Sequence, residues 1–234
     1  MHISHLSMLN EARRERRAVV MLTDLTNGEQ SLLEAAEIGS HPYGEVLSKR
    51  VHSGKSGLEV FDDQQVFVQV QVPAPRLVII GAVHISQALA PMAQACGIDV
   101  TLIDPRTAFA TQERFEGQKL LAQWPQDVLD EIRLDPFTAL VAVTHHPKID
   151  DVPLIAALKA QCFYVGALGS RKTHSRRVER LEAAGLDRYS IDRICAPIGM
   201  DIGAASPAEI AVAVLAQLIE ALRKPSDPAE TARP

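Results

Sequence analysis

From Leu77 onward the chain alternates short apolar runs with helical segments, and that alternation limits the possible folds more than any other feature. LVII at 77–80 is apolar, rich in β-branched residues and closed by Gly81. A helical stretch follows over 86–96 (SQALAPMAQAC), with Gly97 as its stop signal. Pro91 inside it predicts a kink or a helix start near that point. DVTLI at 99–103 reads as the next strand, and 139–143 (ALVAV), 163–165 and 193–196 continue the set. Helices are expected over 152–160, 173–184 and 207–223. Strands interleaved with helices predict a parallel sheet covered on both faces, a Rossmann-like doubly wound α/β fold.

The first third reads differently. Leu6, Leu9 and Ala12 lie at helical spacing and run into basic residues, which either form a solvated face or meet something acidic. Ala18–Leu22 and 30–33 are short strand candidates around the Asn27-Gly28 turn signal, and 66–72 (VFVQVQV) alternates as a half-buried strand does. PAPR at 73–76 reads as a linker. These patterns predict a small N-terminal α+β domain over 1–75, a Rossmann-like domain over 76–224 and a disordered Pro-rich tail over 225–234.

Composition narrows the function classes. A net charge of -5 without a long basic run argues against a general nucleic-acid binder, and 4% aromatic residues leave little for base stacking. Cys96, Cys162 and Cys195 have neither disulfide-framework nor zinc-knuckle spacing, which suits a reducing compartment. No secretory signal and no membrane-spanning run is apparent, so a cytoplasmic protein without membrane contact is expected.

Ligands of open α/β sheets bind at the carboxyl ends of the strands, so the chemistry is sought in those loops. The first, 81–86, supplies Gly81 and then His84, but Val83 and Ser86 occupy the other two glycine positions of a dinucleotide fingerprint. Val83 places bulk where a backbone would approach pyrophosphate, which disfavours NAD(P). Asp104 nevertheless stands where a ribose-binding acid is expected, about 20 residues on, with Arg106 beside it for a 2′-phosphate. An Asp at a strand end also simply caps a turn before a proline. Thr144, His145, His146 and Pro147 follow the fourth strand, with Asp150 and Asp151 soon after. They suit acid–base work, a metal, or only a hydrogen-bonded loop; adjacent histidines diverge, so at most one faces a ligand.

The richest loop is GALGSRK at 166–172. Gly166 and Gly169 permit a tight turn, and Ser170 or Thr173 can cap the helix that follows. Arg171, Lys172, Arg176, Arg177 and Arg180 add positive charge, partly offset by Glu179 and Glu182. An anionic ligand or an acidic partner is favoured here over a merely solvated charge run. Gly199 and Asp201 form a further candidate pocket wall before Ser206-Pro207-Ala208-Glu209, a capping box with proline at the first helical position. Cys195, next to that loop, reads as packing rather than chemistry.

Taken together, LVIIGAVHISQAL, VTLIDPR, VTHHPKIDDVPL, YVGALGSRKTHSRRVERL and APIGMDIGAASPAEIAVAVLAQLI resemble, in order and spacing, the C-terminal half of the XdhC/CoxI family. That resemblance implies a Rossmann-like domain and an accessory role for molybdenum hydroxylases such as xanthine dehydrogenase. It implies binding of the molybdenum cofactor (molybdopterin), its protection or sulfuration, and handover to the apo-enzyme. A sulfur-donating desulfurase and a second copy of the chain, as a homodimer, are further candidate partners, and the sequence leaves the oligomeric state open. Molybdopterin carries a phosphate and its dinucleotide form a diphosphate, which suits an anion-binding edge. The departures are specific: Val83 replaces the second glycine of Gly-Ala-Gly-His. Thr144-His145-His146-Pro147 stands for Thr-His-Asp-His, and Cys195 for the histidine of Arg-Ile-His-Ala-Pro. A Gly-Gly-Cys-Glu segment is not found, and residues 18–75 resemble a shortened N-terminal domain.

The expected cofactor-binding set is Gly81, His84, Asp104, Arg106, Thr144, His145, Gly166, Gly169, Ser170, Arg171, Gly199 and Asp201. No catalytic or metal-ligating residue is assigned. Two other readings stay open: an NAD(P)-dependent oxidoreductase using the first loop and Asp104, and a cofactor-free protein-binding module on the same fold. Nucleotide titration separates the first, and a pull-down without small-molecule stabilisation the second.

Overall fold

A computed structural model describes residues 3–224. The tail expected to be disordered, 225–234, lies outside the described residues. Two compact units divide the chain, one running to Pro73 and the other spanning Ala74–Leu222.

In the first unit, α1 (Ile3–Arg14) precedes β1 (Val19–Asp24) and β2 (Gln30–Glu34). Then come α2 (Ala35–Ile38), α3 (Gly44–Ser53), β3 (Gly57–Phe61) and β4 (Gln64–Gln71). The strands form an antiparallel sheet in the order β2-β1-β4-β3. Its alternation follows the sequence: Val66 and Val68 point into a core with Val20, Leu22, Ile38, Leu47 and Phe61, while Phe67 and Gln69 face out. The Asn27-Gly28 turn joins β1 to β2, with Gly28 at φ 74. Helix α3 does not stand out in the sequence, because Leu47 alone of its apolar side chains is fully buried.

The second unit runs β5 (Arg76–Ile80), α4 (His84–Ala95), β6 (Asp99–Ile103), β7 (Lys119–Leu121), α5 (Pro125–Ile132) and β8 (Thr138–Ala142). It continues with α6 (Pro147–Lys159), β9 (Tyr164–Ala167), α7 (Arg171–Ala183), α8 (Arg188–Ile191), β10 (Ile194–Cys195) and α9 (Pro207–Arg223). All six strands are parallel, in the order β10-β9-β8-β5-β6-β7. The doubly wound sheet expected from the alternation is therefore present, with its switch point between β5 and β8.

Period-2 geometry splits the strands' side chains between two cores. Leu77, Ile79, Leu102 and Val141 pack with α4 and α9 on one face. Val78, Ile80, Leu140 and Ala142 pack with α5, α6, α7 and α8 on the other. Both faces are dry, which is why these strands read as continuous apolar runs. Each fully buried leucine or isoleucine contributes about 1.5–3 kcal/mol of transfer free energy.

Two expectations about helix starts need correcting. Helix α4 begins at His84 with Val83 as its N-cap and runs through Pro91, rather than starting near it. Helix α6 begins at Pro147, several residues before 152, because proline suits the first helical position. Before α9, the Ser206 hydroxyl accepts from the Glu209 N–H at 3.2 Å, and Glu209 Oε2 accepts from the Ser206 N–H at 2.9 Å, as a capping box requires.

Candidate functional site

The loops after β5, β6, β8 and β9 gather at the carboxyl edge of the parallel sheet. In the first, Gly81 sits at φ 121, and a Cβ there would lie 2.8 Å from Thr144 Cγ2. Only glycine lets the β5 and β8 loops approach this closely.

Asp104, at the end of β6, is fully buried. Its Oδ2 accepts from the Ala82 N–H at 2.7 Å and Arg106 Nη2 at 2.6 Å. Oδ1 accepts from the Arg106 N–H and Nε, both at 2.9 Å. Burial pushes this carboxyl's pKa up, but the Arg106 guanidinium and the two backbone N–H groups outweigh it and hold the carboxyl below its ordinary value. The carboxylate is thus committed to stapling the β5 and β6 loops, and a ribose diol would have to displace Arg106 to reach it. Arg106 also lies over the Phe109 ring, 4.6 Å from its centroid. His84 is exposed and lines a shallow cleft of about 350 Å³ with Val83, Ala108, Phe109 and Arg114.

A second cavity, of about 400 Å³, opens between α6 and α7. His145, Pro147, Asp150 and Asp151 wall one side; Lys172, Thr173, Arg176, Arg177 and Arg180 come from α7. His145 is held at φ 60, a conformation uncommon outside glycine. The Thr144 hydroxyl donates to Asp150 Oδ1 at 2.6 Å and accepts the His146 N–H at 3.0 Å, which fixes this turn. Asp150 is 1% exposed and its Oδ2 has no hydrogen-bond partner. Burial, reinforced by nearby Asp151, pushes the Asp150 carboxyl up despite the opposing Thr144 hydroxyl and Arg177.

Arg177 is 2% exposed. Its Nη2 donates to the Leu168 carbonyl at 2.8 Å, holding the β9–α7 loop, while its Nε is unpartnered. Burial lowers its pKa, against the pull of Asp150 and Asp151. Arg180 is different: Nε and Nη2 grip the two oxygens of Asp151 at 2.6 and 3.0 Å, a bidentate pair bridging α7 to α6. Ser170 caps α7 by accepting the Thr173 N–H at 3.3 Å. Gly169, at φ 140, keeps the turn compact; a Cβ there would press on Thr173 at 3.1 Å.

Of the residues singled out in the sequence, Gly81, Asp104, Arg106, Thr144, His145, Gly169 and Ser170 meet along this edge. Arg106 is close enough to Asp150 for its pKa to be raised by it, though less than by Asp104. His145 lines the cavity, whereas His146 stands at the N-cap position of α6 without a side-chain capping bond. Arg171 does not line the cavity; Lys172 does. Gly166 lies inside β9, opposite Val141 and Cys195. Gly199 donates its N–H to Gln217 Oε1 at 2.9 Å, and Asp201 is exposed on the β10–α9 loop. These last three do not line the α6–α7 cavity, nor do Gly81, Asp104, Arg106, Thr144, Gly169 and Ser170; of the twelve expected residues only His145 lines it, and His84 lines the other cleft. Lys172, Arg176 and Arg180 line it at i, i+4 spacing, as do Thr173 and Arg177, the helical signal by which this face can be read. Arg177, one of the basic series that the sequence assigns to an anionic ligand or acidic partner, is itself buried, which the helical spacing alone does not reveal.

A six-stranded parallel sheet with polar loops converging at its carboxyl edge defines a Rossmann-type α/β unit. Residues 77–218 match the family described as the XdhC Rossmann domain, and the chain belongs to the XdhC family. It is 31% identical over 160 residues to a Bacillus subtilis protein named as a probable xanthine dehydrogenase subunit, covering 68% of this chain and 46% of that protein. It is 31% identical over 146 residues to "Molybdenum cofactor insertion chaperone PaoD" of Escherichia coli, covering 62% of this chain and 40% of that one. The chain spans less than half the length of these curated relatives. A crystal structure of a xanthine dehydrogenase from Bacillus halodurans shares the fold, with a TM-score of 0.64 and 22% identity over 96% of this chain and 66% of that one. Among the described residues no helix is long and apolar enough to cross a membrane, and no group of three His, Cys, Asp or Glu side chains could hold a metal ion.

Proposed function

We propose that this chain is an accessory protein that binds the molybdenum cofactor and assists its insertion into a molybdenum hydroxylase of the xanthine dehydrogenase type. The observation that carries the reading is the α6–α7 cavity, a cation-rich recess at the carboxyl edge of a family-typical Rossmann sheet. The name of the Escherichia coli relative supplies the cargo's chemical class. Molybdopterin is anionic, and the donors of Lys172, Arg176 and Arg177 fit its phosphate end, while Asp150 Oδ2 and Arg177 Nε are buried polar atoms with bonds still to make. Thr144, His145 and Ser170 position this wall, and Gly81 and Gly169 keep the loops close. Asp104 and Arg106 hold the adjoining loop in shape. The cofactor is cargo, bound and released, so no residue is assigned a bond-making step.

The test is reconstitution. Purified protein is mixed with molybdopterin under reducing, anaerobic conditions and passed over gel filtration, and the protein peak is assayed for pterin and molybdenum. Co-elution in a fixed ratio is expected. Pterin eluting wholly in the small-molecule volume would sink the proposal. Co-purification from the native host then identifies the hydroxylase. The nucleotide-oxidoreductase reading is weakened by Asp104, whose two oxygens are already taken.

A further inference from the structure

Two charged side chains, each at least 98% buried, line the α6–α7 cavity with one polar atom unpartnered. Arg177 Nε is a donor and Asp150 Oδ2 an acceptor. Each attracts the other electrostatically, yet no hydrogen bond joins them. Leaving buried charged groups short of partners is costly, so a fold that keeps both beside a cavity is prepared for a ligand offering both an acceptor and a donor. At the mouth, Lys172 and Arg176 are exposed, and their side chains pair with no described carboxylate. Arg180 is already neutralised by Asp151. The free positive charge therefore comes from Lys172, Arg176 and Arg177.

This donor-rich recess with a single acceptor discriminates among oxyanions. Sulfate near neutral pH only accepts hydrogen bonds, and its oxygens would face the Asp150 carboxylate with repulsion. A phosphodiester likewise has no proton to give. A phosphate monoester has a second pKa of about 6, so near pH 7 it is mostly the dianion, but its singly protonated form lies only about one pKa unit away and can share its proton with Asp150 while its other oxygens accept from the cations. We propose that the cavity is a phosphate-monoester site in which Asp150 selects an oxyanion that carries a proton, and Lys172, Arg176 and Arg177 bind its charge. The inference rests on the proposed function only in naming the source of the phosphate. Molybdopterin ends in a monoester and its dinucleotide form in a diphosphate diester, so the site favours the former.

The experiment is calorimetric titration of the full chain at about pH 7 and constant ionic strength. The titrants are inorganic phosphate, phenyl phosphate, sulfate and dimethyl phosphate. Phosphate and phenyl phosphate should bind saturably, about tenfold or more tighter than sulfate and dimethyl phosphate, the scale of one charge-assisted hydrogen bond. Lys172→Ala with Arg176→Ala, both surface changes, should weaken phosphate about tenfold without lowering the melting temperature. Asp150→Asn replaces the acceptor by an amide and should bring the phosphate-to-sulfate ratio to about one. Equal binding of phosphate and sulfate by the parent would overturn the proposal, as would unchanged phosphate affinity in the lysine–arginine variant. If Asp150→Asn does not fold, those two measurements still decide. Monoester selectivity without molybdopterin retention would refute the proposed function alone. Retention that is indifferent to the lysine–arginine variant and shows no monoester preference would refute this inference alone.

Discussion

Replacing Asp104 by alanine tests whether that carboxylate is a loop staple or a ligand group. The substitution removes four hydrogen bonds to one fully buried side chain. Ala82 is itself fully buried, so its N–H loses its partner out of reach of water, at about 1–3 kcal/mol. The Arg106 guanidinium is 32% exposed and regains much of its hydration, which limits its share to about 1 kcal/mol. The expected loss is about 2–4 kcal/mol, and at about 2–4 °C per kcal/mol for a unit of this size the melting temperature falls by about 5–15 °C. Differential scanning calorimetry reads this directly. Because the folded Asp104 is held below its ordinary pKa, its contribution is complete above the unfolded value of about 3.9 and is lost as pH falls through the lower folded value. The gap between parent and an Asp104→Asn variant should therefore be constant near neutrality and close in acid. A melting temperature unchanged to within about 1 °C would refute the staple. So would saturable stabilisation by NAD(H) that disappears with Asp104.

Three further outcomes follow from the same geometry. Ser170→Ala removes the α7 cap and should cost about 1 kcal/mol in urea denaturation, and Ser170→Asp should retain most of it. Leu140→Ala, in the fully buried β8, should cost about 2–5 kcal/mol, whereas Val60→Ala, on an exposed face of β3, should fall within about 0.5 kcal/mol of the parent. Burial pushes the Cys162 thiol up to about 12, so a thiol reagent near neutral pH should label exposed Cys96 quickly and reach Cys162 only on unfolding. Equal labelling rates for the two would contradict the burial assigned to Cys162.

Much of the parallel unit is legible in the sequence, for a physical reason. A strand covered on both faces must be apolar at nearly every position, and β5, β6 and β8 announce themselves as such runs. Glycine and capping signals then place the helices between them: Gly97 ends α4 at φ 77, and Ser206 with Glu209 starts α9. What escapes is short or weakly patterned. Strand β7 has three residues at the sheet edge, and α5 has eight, of which Pro125, Val128 and Leu129 are buried. Their existence is decided by what they pack against rather than by their own pattern.

The site divides along the same line. A glycine turn, a helix cap and a basic helix face after β9 can be read from the residues alone, because those features depend on neighbours three or four positions apart. Which of the charges lie in solvent depends instead on how distant segments pack. Arg177 and Asp150 lose water because α6 and α7 cover the same sheet face, and Asp104 becomes a staple because the β5 and β6 loops meet across it. Desolvation arises from neighbours far away in the chain. That is why a basic helix face that is legible in the sequence contains one buried cation, beside a buried acid, that the sequence does not single out.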